Sequence, residues 1–103
     1  MKRTKRSATA PTPPRNPTVR LQWHAPGANA VYVAGTFNDW RADATPLQPQ
    51  AAGLWIVELE LPPGIYEYRF VVDGCWCSDS HASETTPNSF GDSNAVLRVH
   101  HPV

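Results

Sequence analysis

The stretch LWIVELELPPGIYEYRFVVDGCW, residues 54–76, decides the fold. Trp55, Val57, Leu59 and Leu61 alternate with Ile56, Glu58 and Glu60, a period of two that puts one row of side chains on each face of a strand. Pro62-Pro63-Gly64 stops the run, since proline lacks a backbone donor and glycine opens turn conformations. The alternation resumes as Tyr66, Tyr68, Phe70 and Val72 against Glu67, Arg69 and Val71. Asp73-Gly74 after an alternating run is a hairpin signal, and it leads into a short strand at Cys75 to Cys77.

The same period extends outward in both directions. Val19, Leu21 and Trp23 alternate with Arg20, Gln22 and His24, and Ala30 to Gly35 (AVYVAG) is a short apolar strand. Ala95 to His100 adds a last strand, with Leu97 and Val99 alternating. No window of useful length carries a helical period. Short strands at roughly 8–12-residue spacing, broken by Pro and Gly, predict an all-β fold: an immunoglobulin-like β-sandwich of about seven short antiparallel strands. The about 85 residues from Thr18 onward suffice for one modest core. At 103 residues the chain is too short for a (β/α)8 barrel, which needs about 250.

Formal charge is zero, but it is unevenly distributed. Lys2, Arg3, Lys5, Arg6 and Arg15 stand among four prolines in residues 1–17, a composition that predicts a disordered basic tail. Residues 18–103 form the expected domain, where four arginines face all nine acids. Such a domain is a poor polyphosphate binder, so any nucleic-acid contact would rest on residues 2–15. Cys75 and Cys77 are at i and i+2, about 6.6 Å apart on a strand and at the edge of disulfide geometry. Free thiols are expected, and with them a reducing compartment. MKRTKR is followed by no apolar stretch, and nothing approaches the about 20 apolar residues of a membrane span. The expected location is cytoplasmic.

Four tryptophans are the informative side chains. Trp23 and Trp55 fall in apolar rows and belong to the core. Trp40 follows the turn-rich Gly35-Thr36-Phe37-Asn38-Asp39, and Trp76 follows Asp73-Gly74. A Trp at a strand end among polar neighbours is either a lid on the core or a contact residue, and spacing alone favours the lid for both.

Three collinear motifs carry a family resemblance. VYVAGTFNDW (Val31 to Trp40), YEYRFVVDGCW (Tyr66 to Trp76) and PNSFGDSNAVLRV (Pro87 to Val99) resemble the glycogen-binding domain of AMP-activated protein kinase β subunits. The same family includes the early-set (isoamylase N-terminal-like) domains that precede the barrels of starch-branching and debranching enzymes. The likeness runs from about Thr18 to Val99. It implies a face that binds α-1,4-glucan, with Trp40 and Trp76 stacking on glucose rings. By the same resemblance Arg69 and Asn94 bond hydroxyls, and Phe90 inserts into the curve of the glucan. The chemistry is coherent: an indole covers the apolar C–H face of a glucose ring, and guanidinium or amide groups meet its hydroxyl rim. Four positions depart from the family pattern. Arg69 replaces a Lys, Phe90 a frequent Leu and Asp92 a hydroxyl residue, while Asp79-Ser80 stands where Asp-Pro is frequent and so lacks the proline's rigidity.

Other chemistries fit less well. Cys75 and Cys77 with His81, His24, His100 and His101 are zinc-type ligands, but not at the usual C-x2–4-C spacing. Asp73 with Asp79 or Asp39 would need a cleft to act as a glycosidase pair, and Asp73 is better explained by its turn. No Ser/His/Asp order or phosphate loop is present. The expectation is a non-catalytic module without metal, cofactor or membrane contact. It binds glycogen, starch or maltooligosaccharides and tethers itself, or a separate enzyme or kinase-like polypeptide, to the polymer. The alternative is a protein–protein scaffold that keeps the fold and has lost the sugar.

Overall fold

The computed structural model describes residues 16–101. Apart from Asn16 and Pro17, the basic tail expected over residues 1–17 lies outside the described residues. Among those described, eight strands form: β1 (Thr18–His24), β2 (Val31–Gly35), β3 (Gln48–Pro49), β4 (Leu54–Glu60), β5 (Gly64–Val72), β6 (Cys75–Cys77), β7 (Thr85–Pro87) and β8 (Ser93–Val99). One sheet has the order β1-β4-β3, the other β2-β5-β8-β7. Every pairing is antiparallel. β8 takes Gly64–Tyr68 of β5, and β6 takes Phe70–Val72. This is the all-β sandwich that the alternation demands. β3 and β7 are only two and three residues long, too short to show a period in the sequence.

Register decides which rows meet in the core. Val19, Leu21 and Trp23 of β1 stand opposite Leu59, Val57 and Trp55 of β4, so both apolar rows share a face. In the other sheet Val31 and Val33 oppose Val72 and Phe70, and Tyr68 opposes Ala95. These faces close on each other, with the Trp23 ring 4.8 Å from Phe70. Phe70, Val31 and Val33 are the largest fully buried side chains, each contributing about 1.5–3 kcal/mol by leaving water. The buried Trp55 keeps its indole N–H satisfied by donating to the Ala25 carbonyl at 3.2 Å.

Two turns hold the ends in place. Asp73 (φ 48°) and Gly74 (φ 86°) are both left-handed, as a two-residue hairpin turn requires. The Asp73 carboxylate also accepts the amides of Asn29 and Ala30 at 2.9 and 2.8 Å, tying the β1–β2 loop to the hairpin. Asp79 holds the turn after β6 with hydrogen bonds. Its carboxylate accepts the His81 amide at 3.0 Å and the Tyr68 hydroxyl at 2.7 Å. On the far edge, residues 45–47 lie against β2 through Val33 N–Thr45 O (3.0 Å) and Leu47 N–Val31 O (2.8 Å), before β3 crosses to β4. That crossing closes one side of the sandwich.

Candidate functional site

The outer face of the second sheet collects the other row of each strand. On β5 the alternation that buries Tyr68 and Phe70 turns Glu67 and Arg69 outward. Val71 pairs with Trp76, and Ala95 with Tyr68, so Trp76 of β6 and Asn94 of β8 point to the same outer side.

Trp40 reaches that side by an unusual route. After the 3-10 turn Thr36–Asn38, Asp39 and Trp40 both adopt left-handed backbone, with φ of 58° and 59°. A bulky residue there costs about 1–2 kcal/mol, so surrounding contacts must impose it. Asn38 supplies them. Its Oδ1 accepts the Gly35 amide at 3.0 Å, while Nδ2 donates to the Val33 carbonyl at 3.0 Å and to Thr45 Oγ1 at 2.9 Å. The Trp40 amide then donates to the Gly35 carbonyl at 2.9 Å, which folds the half-buried indole back beside the sheet.

The loop before β8 is organised by a second asparagine. Asn88 Oδ1 accepts the amides of Phe90 and Asp92 at 2.9 and 3.1 Å, and Gly91 (φ 81°) closes the turn. Phe90 is thereby held at the tip, 88% exposed. The ring is thus fully open to contact on the groove side. Asn88 Nδ2 donates to Asn94 Oδ1 at 3.1 Å, and Asn94 Nδ2 donates to Glu67 Oε1 at 3.0 Å. Asn94 is only 8% exposed. It therefore braces the loop and Glu67 as well as facing the groove.

Arg69 is similarly engaged. Its Nη2 donates to Asp92 Oδ2 at 2.7 Å and weakly to the Trp76 carbonyl at 3.4 Å, and its Nε is buried without a partner. Nη1 is the nitrogen left to meet a hydroxyl. The guanidinium carbon lies 5.9 Å from the centre of the Trp76 ring, within cation–π range. Asp92 is the anchor: Ser78 Oγ donates to it at 2.8 Å and the Ser93 amide at 2.9 Å. Those two bonds, then the Arg69 charge, hold its carboxyl below the usual carboxylate range.

Trp40, Arg69, Trp76, Phe90 and Asn94 all line one open groove of about 820 Å³. That volume is within the range of small-molecule sites. Thr36, Glu67 and Asn88 line it too and were not singled out from sequence. Glu67 was legible, because it sits two residues before Arg69 in a strand of period two. Asn88 bore only the weaker signal of an Asn after Pro in a turn. Such a groove offers aromatic surface with a few convergent hydrogen-bonding groups and, among the described residues, no nucleophile–base pair.

Residues 17–103 match a family model described as the glycogen recognition site of AMP-activated protein kinase. The chain belongs to this glycogen-recognition family. Its members are carbohydrate-binding modules, not catalytic in themselves. Among relatives, the amyloplastic phosphoglucan phosphatase DSP4 of Castanea sativa is 34% identical over 86 residues, covering 82% of this chain and 23% of the phosphatase. The AMP-activated protein kinase subunit beta-1 of Sus scrofa is 34% identical over 83 residues, covering 81% of this chain and 63% of the subunit. The SNF1 protein kinase subunit beta-3 of Saccharomyces cerevisiae is 44% identical over 57 residues, 53% of this chain and 13% of that protein. The chain thus spans less than two thirds of each of these relatives. As a glycogen-recognition module it is the part that such enzymes and kinase subunits share.

Proposed function

We propose that this glycogen-recognition module holds α-1,4-glucan in the groove and does not cleave it. Trp40 and Trp76 stack on glucose rings, Phe90 packs at the edge, and Arg69 and Asn94 bond hydroxyls. The observation that carries this reading is the convergence of those five side chains, drawn from a turn, two strands, a loop and β8, on one groove. About two stacked rings at roughly 1 kcal/mol each, with few hydrogen bonds, give micromolar to millimolar dissociation constants for short maltooligosaccharides. Glycogen or starch raises the apparent affinity by offering many sites.

Its relatives join such a module to a phosphatase or a kinase assembly, which supports a tethering role here. The module brings a separate enzyme or kinase-like polypeptide to the polymer. Cys75 and Cys77 are both free, which supports work in a reducing, cytoplasmic setting. The test is glycogen pull-down with Trp40→Ala and Trp76→Ala, alongside circular dichroism and melting. Both variants are expected to stay folded and to lose the polymer. Full retention of glycogen by either folded variant would remove that tryptophan from the site.

A further inference from the structure

We propose that the groove selects uncharged α-glucan and rejects chains carrying phosphate esters, with Asp92 and Glu67 setting the preference. This rests on reading the groove as a glucan site. Among the described residues Arg69 is the one cation that lines the groove, and its charge is already matched by Asp92 at 2.7 Å. Glu67 adds a second carboxylate, which meets the neutral amide of Asn94 and no cation among the described residues. Arg69, Asp92 and Glu67 together leave one net negative charge. The Trp40 loop contributes Asp39, Arg41 and Asp43, two anions to one cation.

A phosphate monoester brings a charge of about −1.5 to −2 and strong acceptor oxygens that demand donors. Among the described residues no complete guanidinium fork is free to receive them, since Arg69 has only Nη1 left. Arg69 Nη2 is spent on Asp92 and the Trp76 carbonyl, and its Nε is buried. A phosphorylated glucose unit therefore meets repulsion and an unreturned desolvation cost. A neutral glucose hydroxyl meets neither, and can donate to the same Glu67 carboxylate. Beside the relative named as a phosphoglucan phosphatase, the recognition module of this chain thus favours unphosphorylated stretches of glucan.

The experiment titrates the full chain with maltoheptaose and with maltoheptaose bearing one glucosyl 6-phosphate, reading tryptophan emission. The phosphorylated sugar is expected to bind at least about fivefold more weakly at low salt, with the gap narrowing as ionic strength rises. Glu67→Gln and Asp92→Asn, each nearly isosteric, are expected to narrow the gap by weakening the repulsion. Equal or tighter binding of the phosphorylated sugar overturns the proposal, as does a gap unchanged by both variants in folded protein. Failure of maltoheptaose itself to bind overturns the glucan reading instead.

Discussion

Trp40 owes its position to Asn38 more than to itself. Three hydrogen bonds from one amide hold two successive left-handed residues that would otherwise relax. Asn38→Ala removes all three and is expected to cost about 1–3 kcal/mol in chemical denaturation. The same variant should weaken maltoheptaose binding several-fold, because the released Trp40 no longer faces the groove. Unchanged affinity would mean that Trp40 needs no such support. At Asp92 the consequence concerns pH. Its carboxyl is lowered on folding by Ser78, then the Ser93 amide, with Arg69 adding to them. A carboxyl lowered in this way stabilises the folded state above its unfolded value and loses that effect as pH falls through the folded one. The Asp92–Arg69 clasp therefore persists through neutral and mildly acid solution. Affinity for maltoheptaose should stay flat between about pH 5 and 8, and a fall within that window would contradict the clasp.

At the scale of elements, Gly35 lets β2 lie close against β5 beside the site. Gly35 is extended, so any residue suits its backbone, but a Cβ there would press on the Glu67 carbonyl and lie 2.9 Å from Tyr68 Cβ. Gly35→Ala is expected to cost about 1–3 kcal/mol by overpacking and to shift both the Trp40 turn and Glu67. Trp55→Ala in β4 should cost about 3–5 kcal/mol without touching the groove; normal melting of that variant would put Trp55 outside the core. Tyr68 on β5 links the core to the loop after β6. Burial, then the hydrogen bond and charge of Asp79, push its phenol well above the ordinary value of 10.0. A phenol raised on folding contributes stability below that ordinary value and loses it as pH climbs toward the folded one. Stability should thus decline above about pH 10, and Tyr68→Phe should flatten that decline. These elements were also the most legible in sequence. A period of two over seven to nine residues marks β1, β4 and β5 and fixes which row is buried. β3 and β7 bear no such mark, since backbone pairing alone defines them.

Taken whole, the molecule separates its work between two faces of one sheet. The inner row of β5 builds the core, and Glu67 and Arg69 of its outer row line the groove, so the alternation that shows the fold also shows part of the candidate site. The motif likeness placed Trp40, Trp76, Arg69, Asn94 and Phe90, and all five converge. Charge pairing was the part that sequence reading could not supply. Arg69 and Asp92 are 23 residues apart, and only the β5–β8 arrangement brings them to 2.7 Å. Likewise nothing in the sequence says that the Asn94 amide is held between Asn88 and Glu67. The most direct measurement of the central claim is a titration of the full chain with maltoheptaose, with cellohexaose as control, followed by tryptophan emission. Trp40 and Trp76 lie in the groove, whereas Trp23 and Trp55 pack with the core. A saturable change with the α-linked sugar and none with the β-linked one is the predicted result. No change with either sugar would contradict the account and leave a protein-binding scaffold in its place.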